Sequence, residues 1–264
     1  GVVDGKMGMS TVNALKGFQE ANGMEVTGKL DEATKQGLAK WQSIPATRVV
    51  TIPADWGSET YYKMPDKTAD KAKMPSLGYT SLDERLAERF HTTIETLKAL
   101  NPNGRPAGAP APTGSSSPTP TSTPTPTPTP TPTASGSDTP FTPQPGPASY
   151  FKAGQQIRVP NVGADKIEPG KVEDTNWQQT LASLGVGTVQ PKADRLVVSK
   201  SGNTLKTYDS SGKLTSVFTV SSGSSKFPLP IGDWKILGIA HNPDYHYNPD
   251  LIQGADKTDP EQQL

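Results

Sequence analysis

The sequence predicts a multidomain α+β protein, in which small helical modules, a proline-rich connector and an antiparallel β-sheet follow one another. Only 32% of the 264 residues are hydrophobic, while 27 are proline and 25 are glycine, which favours several small modules over one large core. Apolar residues recur with helical spacing before residue 104 and with strand spacing after residue 194.

Composition also excludes several classes of function. The formal net charge is zero and no basic stripe is present, so a nucleic-acid partner is not expected. No apolar run reaches the roughly 18–20 residues that cross a bilayer. The chain contains no cysteine, which excludes disulfides, Cys-ligated metal sites and a cysteine nucleophile among these residues. We predict no catalytic residue, no cofactor-binding residue and no metal ligand in the chain.

The first module is predicted at residues 1–42 and contains two short helices. Ser10 is a suitable N-cap for the first helix, which ends at Asn22-Gly23, and Asp31 caps the second helix. Two such helices carry too few large apolar residues to be stable alone. A partner helix upstream is therefore expected, and with it a chain that is incomplete at its N-terminus.

A set of residues falls at fixed offsets along this module: Asp4-Gly5, Gly8, Thr11, Ala14, Phe18-Gln19, Gly23, Thr27-Gly28, Leu30-Asp31, Thr34 and Leu38. The pattern resembles the small three-helix peptidoglycan-binding domain found beside many wall hydrolases and transpeptidases, without its first helix. The resemblance implies peptidoglycan as the partner. The alternative is a generic helical hairpin, and under either interpretation Phe18 is predicted to belong to the core.

The second module is predicted at residues 77–103 together with 150–162. Ser81 and Glu84 form a capping box at the start of one helix, and Thr93 caps the next. Residues Leu86-Ala87, Phe90, Leu97 and Leu100-Asn101-Pro102-Asn103 are similar to LysM, a βααβ module that binds glycans containing N-acetylglucosamine. Its closing strand matches Gly154–Pro160, and Tyr79 is the candidate remnant of its first strand. The alternative is an unrelated strand that follows an interdomain linker.

Residues 104–149 are predicted to be a disordered connector rich in proline and threonine, inserted within this LysM-like fold. Prolines and threonines alternate almost perfectly from Pro118 to Thr133, which excludes helix and sheet and favours polyproline II. Lengthening a loop from about 5 to about 46 residues costs only about 2 kcal/mol of closure entropy. The connector acts as a semi-rigid spacer or as a ligand for a partner domain, and its threonines are candidates for glycosylation.

The last segment, residues 193–264, is predicted to be all-β. Strands are expected at 195–200, 204–208, 214–220 and 235–239, with hairpin turns at Ser201–Asn203 and Asp209–Gly212. Consecutive antiparallel strands without intervening helices indicate a sheet or sandwich.

Several residues of this segment act as markers: Tyr208-Asp209, Gly212, Val220-Ser221, Gly223, Pro228, Pro230 and Gly232, followed by the aromatic loop His241–Pro249. They resemble the start of the L,D-transpeptidase catalytic domain of the YkuD type. The resemblance implies acyl transfer between peptidoglycan stem peptides through a cysteine acyl-enzyme, with the nucleophile motif expected beyond Leu264. It also implies a monomer in the bacterial envelope, periplasmic or extracytoplasmic, whose signal peptide is missing here. The alternative is a non-catalytic peptidoglycan-binding envelope protein.

The sequence gives little support for a metal site, a serine nucleophile or sugar stacking by tryptophan. His241, Asp244 and His246 match no common metal-ligand spacing. The string Ser210–Lys213 satisfies a Ser-x-x-Lys pattern but lies in a predicted turn rather than at the start of a helix. The four tryptophans can stack on sugars, but we predict that each packs in a core or an interface; they are Trp41, Trp56, Trp177 and Trp234.

Overall fold

The computed structural model describes residues 2–109, 141–162, 192–238, 245–252 and 254–263, and shows a mixed helix and sheet protein. The helices are α1 Met9–Ala21, α2 Glu32–Ala39, α3 Thr68–Lys71, α4 Leu82–Arg89 and α5 Ile94–Leu100, with 3₁₀ turns at Ala54–Gly57, Pro102–Gly104 and Pro249–Leu251. The strands are β1 Thr47–Thr51, β2 Gln156–Pro160, β3 Arg195–Ser199, β4 Thr204–Tyr208, β5 Leu214–Thr219, β6 His246–Tyr247 and β7 Gln262–Gln263. They form antiparallel sheets in the orders β1-β2, β3-β4-β5 and β6-β7.

Helix α1 begins two residues earlier than predicted. Its N-cap is Gly8, whose backbone is extended, and Ser10 already lies inside the helix. The amide of Val12 donates to the Gly8 carbonyl at 3.1 Å, which closes the first turn before Ser10 could cap it. The predicted end at Asn22 and the predicted Asp31 cap of α2 are both confirmed.

Residues 47–109 and 141–162 form a βααβ unit with its own apolar core, in which α4 and α5 are the two helices and the single turn α3 lies between β1 and α4. Strand β1 pairs with β2 from Thr47 opposite Pro160 to Thr51 opposite Gln156. The first strand expected near Tyr79 is therefore wrong: Tyr79 lies in a loop, and the β-branched run at 47–51 supplies the strand. The buried cluster consists of Ile52, Trp56, Leu82, Leu86, Ala87, Phe90, Leu97, Phe151, Ile157 and Val159.

The caps of α4 and α5 form largely as predicted. The Ser81 hydroxyl accepts the amide of Glu84 at 3.1 Å, and Thr93 caps α5 in the same way. The Glu84 carboxylate reaches the amide and hydroxyl of Thr80, both at 2.6 Å, rather than the amide of Ser81. The capping box is thus closed one residue further upstream than the sequence pattern predicts.

Buried polar side chains join the residues on either side of positions 110–140. The Asn101 amide donates to the carbonyls of Leu97 at 2.8 Å and Arg158 at 2.7 Å, and its oxygen accepts the Arg158 amide at 2.6 Å. The Asp83 carboxylate accepts the amides of Tyr150 at 2.8 Å and Phe151 at 3.0 Å. Helices α4 and α5 and strand β2 therefore share one core, although about fifty residues separate them along the chain.

The predicted connector 104–149 is too wide at both ends. Ala107 donates its amide to the Leu100 carbonyl at 2.9 Å, and Gly146 donates to the Tyr61 carbonyl at 2.8 Å. A Cβ at Gly146 would collide with the Thr80 carbonyl oxygen, so this close approach requires glycine. The alternating run Pro118–Thr133 lies outside the described residues.

The three-stranded sheet matches the predicted hairpins to within one residue. Leu196 opposes Thr207 across β3 and β4, Leu205 opposes Phe218 across β4 and β5, and a bulge follows Thr207. The predicted strand at 235–239 is wrong over its described part, because residues 235–238 pair with no strand and Leu237 is 96% exposed. Residues 229–236 instead border a cavity of about 990 Å³ beside the face of β3 that carries Leu196 and Val198.

The short sheet β6-β7 is anchored to the region of α3. The Asp259 carboxylate accepts hydrogen bonds from the hydroxyls of Tyr247, at 3.3 Å, and Thr68, at 3.4 Å. His246 lies on the exposed side of this sheet.

Candidate functional site

The centre of the α1–α2 module is a buried hydrogen-bond network around Gln19, whose side chain is fully buried. Its amide nitrogen donates to the Thr34 hydroxyl at 2.8 Å and to the Thr27 hydroxyl at 2.9 Å, and it also reaches the Lys29 carbonyl at 3.0 Å. Its oxygen accepts the amide of Gly28 at 2.8 Å. One glutamine therefore fixes the loop between the two helices.

Asp31 completes this network from the start of α2. Its carboxylate accepts the amide and hydroxyl of Thr34 at 2.9 and 2.7 Å and the hydroxyl of Thr27 at 2.7 Å. The hydrogen bond from the Thr34 side chain, followed by that from Thr27, lowers the pKa of Asp31 below its ordinary value. Five of the residues at fixed sequence offsets are thus joined by hydrogen bonds to one another; they are Gln19, Thr27, Gly28, Asp31 and Thr34.

An aromatic cluster lies where α2 ends. Trp41 contacts Phe18 edge to face, with ring centroids 5.6 Å apart, and the ammonium of Lys40 lies 4.1 Å from the Trp41 ring centroid. Lys40 also donates to the Asn22 side chain at 3.3 Å. Phe18 is half-buried and Trp41 is 41% exposed, so the predicted core role of Phe18 is confirmed in part and Trp41 presents an open surface.

The other side of α1 lies against the sheet β3-β4-β5. A Cβ at Gly17 would lie 2.5 Å from Cγ2 of Val217, and Asn13 donates to the Gly202 carbonyl at 3.4 Å. The sequence predicts an upstream helix as the partner of this module; within the described residues, β5 packs against α1, and Lys206 and Tyr208 of β4 bind it as well. The close approach depends on the absence of a side chain at Gly17.

An ion pair and a hydrogen bond from a hydroxyl group, both made by the same carboxylate, strengthen the contact between α1 and the sheet. The Glu20 carboxylate accepts hydrogen bonds from the Lys206 ammonium and, at 2.8 Å, from the Tyr208 hydroxyl. Burial raises the pKa of Glu20, but the hydrogen bonds from Lys206 and Tyr208 outweigh burial and the pKa lies below its ordinary value. Burial and the hydrogen bond to Glu20 raise the pKa of Tyr208. The carboxylate form of Glu20 is thus the form that holds α1 to the sheet.

Between α1 and β5 the packing leaves a cleft of about 290 Å³. We call it the α1–β5 cleft; its walls are Ala14, Gly17, Phe18 and Ala21 on the helix and residues 214–217 on the strand. Phe18 belongs both to this wall and to the contact with Trp41. The cleft and the aromatic cluster therefore adjoin each other at Phe18.

The βααβ unit offers a second polar surface at the end of α5. The Tyr150 hydroxyl donates to the Asn101 carbonyl at 3.1 Å and accepts the Gly104 amide at 2.7 Å, while its ring stays 39% exposed. The Lys98 ammonium lies 5.3 Å from the centre of that ring. Gly104 and Tyr150 come from opposite sides of positions 110–140 in the sequence.

Trp56 is buried in a core, as predicted, but the sequence did not predict its neighbours. The Arg85 guanidinium stacks 3.7 Å from the Trp56 ring centroid and pairs with Glu59, and Tyr61 donates its hydroxyl to the Trp56 carbonyl at 3.0 Å. Burial raises the pKa of Tyr61. Trp234 departs from the prediction, since it is 73% exposed, and Trp177 lies outside the described residues.

The described residues assemble no catalytic or metal centre of a familiar kind. His246 is exposed and lies 3.3 Å from Glu261, whereas His241 and Asp244 lie outside the described residues. Ser210–Lys213 lies in the turn between β4 and β5, as predicted. Over the described ranges no three His, Asp or Glu side chains come close enough to hold a metal ion, and no helix there is long and apolar enough to span a bilayer.

Comparison with known proteins identifies the first module. A family model of peptidoglycan binding domains matches residues 1–38, which include α1, the loop fixed by Gln19 and most of α2. No curated protein matches the chain. The chain thus contains a peptidoglycan-binding domain at its start, and the predicted resemblance is confirmed for that part.

Proposed function

We propose that this chain is a peptidoglycan-binding protein of the bacterial envelope and that residues 1–38 hold it to the cell wall. The observation that carries the proposal is the agreement between the family match and the Gln19 network. Gln19, Thr27, Gly28, Asp31 and Thr34 belong to the family pattern and also fix the loop between the two helices. A role at the wall places the protein outside the cytoplasm.

The βααβ unit is proposed as a second wall-binding module of the LysM type. Its order of elements supports this, because the first and last strands, β1 and β2, pair with each other and α4 and α5 lie between them in sequence, after the single turn α3. The exposed Tyr150 ring beside Lys98 is a surface on which a sugar ring can stack. A substitution there would test this module separately from residues 1–38.

Residues 193–264 are proposed to be part of an L,D-transpeptidase domain, which makes the wall attachment a means of bringing an acyl transferase to its substrate. The hairpins β3–β5 and the markers Tyr208-Asp209 and Pro228–Gly232 support the proposal. In such a reaction a thiolate attacks an amide carbonyl and expels an amine, and the amine of a second stem peptide resolves the thioester. Since the chain contains no cysteine, these 264 residues do not carry that reaction by themselves.

A non-catalytic binding protein is the second candidate, and the open apolar face of the sheet bears on the choice. Leu196, Val198 and Phe218 are 43%, 45% and 52% exposed. A sheet that only presents binding modules gains nothing from such a face, whereas one layer of a sandwich requires it. This observation favours the transpeptidase proposal.

The test is sedimentation with purified sacculi at moderate salt, together with mass spectrometry of tetrapeptide muropeptides. We expect the 264-residue chain to pellet with sacculi and to leave the tetrapeptides unchanged. Complete recovery in the supernatant, with helices still visible by circular dichroism, would overturn the binding proposal. Loss of the terminal D-Ala would show that chemistry independent of cysteine operates here.

A further inference from the structure

We propose that the α1–β5 cleft, together with Lys40 and Trp41 at its Phe18 end, is the binding site for a peptidoglycan stem peptide that carries a free carboxylate. This inference rests on the proposed function, because it names the part of peptidoglycan that the first module recognises. The site combines a concave wall, an aromatic surface and a cation, each contributed by described residues.

The walls of the cleft differ in chemistry in a way that fits a short peptide. The helix side presents the small residues Ala14 and Ala21, which leave room for methyl-sized side chains, whereas at Gly17 the helix lies directly against Val217 and closes the cleft. The strand side is β5, which pairs with β4 on one edge and lies at the end of the three-stranded sheet. An edge strand offers backbone amides and carbonyls to an extended peptide. The volume of about 290 Å³ corresponds to one or two small residues rather than to a glycan chain.

Trp41 is preorganised against Phe18, which is one of the cleft residues. Its amide donates to the Leu38 carbonyl at 3.0 Å, and its carbonyl accepts the Ile44 amide at 2.9 Å, which fixes the turn that carries it. The Phe18 ring holds the indole from the side, at 71° between the ring planes. A rigid tryptophan binds with little loss of side-chain entropy.

The module does not need Trp41 to close its interior. Met24 and Phe18 already fill the space against Gly37, where a Cβ would collide with the Met24 methyl group. The Trp41 ring lies outside this contact and remains 41% exposed. Its position is therefore better explained by a ligand than by the core.

Lys40 supplies the charge that selects a carboxylate. Its ammonium is held near Trp41 by the ring, at 4.1 Å, and by the Asn22 side chain, at 3.3 Å. Asn22 is neutral, so the positive charge of Lys40 is not cancelled by this partner. An ammonium beside an aromatic face suits a ligand with a terminal carboxylate and an apolar side chain.

The first experiment blocks the cleft in the 264-residue chain. Ala14→Phe places a ring at the exposed rim of the cleft, and we expect about tenfold weaker binding of a fluorescent stem tetrapeptide by anisotropy. Met9→Phe is the matched control, because Met9 is 66% exposed on the same helix and is not among the cleft residues. Equal affinities of the two variants would overturn the cleft as the site.

The second experiment tests the carboxylate. Lys40→Gln should weaken tetrapeptide binding about threefold, whereas Lys35→Gln, within α2, should leave it unchanged. Amidation of the peptide terminus should weaken binding to the parent chain but make no further difference to Lys40→Gln. An equal effect of amidation on both proteins would overturn the role of Lys40.

The outcomes also separate this inference from the proposed function. Failure of the parent chain to pellet with sacculi would contradict the proposed function itself. Pelleting by the parent chain and by Ala14→Phe to the same extent, with no tetrapeptide binding, would contradict only the cleft. Binding of chitin oligosaccharides in preference to the tetrapeptide would move recognition to the glycan and overturn the inference.

Trp41→Ala, with Trp234→Ala as control, tests the aromatic surface in the same assays, and thermal unfolding monitored by circular dichroism verifies the fold of every variant.

Discussion

The βααβ unit at 47–162 and the sheet at 195–219 use similar β-branched strands, but only the first surrounds them with a core. Ile157 and Val159, at alternating positions of β2, are both 0% exposed in the βααβ unit. Leu196, Val198 and Phe218, at equivalent alternating positions in the sheet, are between 43% and 52% exposed. Alternation in the sequence therefore predicts a strand but does not predict whether its apolar face is covered.

The two faces of the three-stranded sheet also differ in how far they are covered by other residues. The face that carries Lys206 and Val217 meets α1, and its polar groups have specific partners. On the opposite face, Leu205 lies across the cavity of about 990 Å³ from residues 229–236, and Phe218 is 52% exposed. Stability should thus concentrate in the βααβ unit, and four predictions test that difference.

Phe151→Ala has the largest expected effect. The ring is 1% exposed in the core of the βααβ unit, so its removal should cost about 3–5 kcal/mol of unfolding free energy. Phe218→Ala, on the open face of the sheet, should cost no more than about 0.5 kcal/mol. Urea unfolding monitored by circular dichroism measures both, and equal losses would contradict the contrast between the two regions.

Asn101→Ala should rank second. Its fully buried side chain satisfies the Leu97 carbonyl and both backbone groups of Arg158, so its loss leaves buried polar groups without partners and should cost about 1–3 kcal/mol. Asn161→Ala removes a single exposed hydrogen bond, to the Pro45 carbonyl, and should change stability by less than about 0.5 kcal/mol. A ranking in the opposite order would show that Asn101 does not join α5 to β2.

A protease site placed within 110–140 should leave the two fragments together. Asp83 binds the amides of Tyr150 and Phe151, and Asn101 binds Arg158, so both fragments contribute to one core. A site placed within 163–191 leaves the sheet attached by the α1 contact and by Asp259 with Thr68, and its fragments should separate more readily on dilution. Gel filtration after cleavage distinguishes the two, and separation at the first site would contradict a shared core.

Much of the local structure could be predicted from the sequence because local chemistry determines it. The caps at Asp31, Ser81 and Thr93 depend on a hydroxyl or carboxylate three residues before an amide, and all three form. The hairpins β3–β5 depend on turn residues between alternating strands. The strand at Thr47–Thr51 was not predicted, although its β-branched residues are a local signal for a strand.

The features that were predicted wrongly or not at all depend on contacts between residues far apart in the chain. The strand expected at 235–239 satisfies the local pattern, but residues 235–238 have no neighbouring strand with which to pair. Glu20 and Lys206 are separated by 186 positions, and nothing near either residue indicates the other. The α1–β5 cleft could not be predicted from the sequence either, because its two walls belong to separately predicted modules.

The smallest expected effect concerns the pH dependence of the contact between α1 and the sheet. The folded pKa of Glu20 lies below its ordinary value, so its contribution is fully present above about pH 4.5. It is lost as the pH falls through the lowered folded pKa, because the protonated carboxyl no longer pairs with Lys206.

Glu20→Gln should weaken the contact by less than about 1 kcal/mol at pH 7, since the pair is partly exposed and screened by salt. Glu25→Gln, at an exposed position of the same module, is the control. In the chain cleaved within 163–191, fragment association should weaken with acid and salt in the parent and the control but change less in Glu20→Gln. The same acid sensitivity in all three proteins would assign the pH dependence to other groups and leave the sheet held to α1 by the packing of Gly17 against Val217.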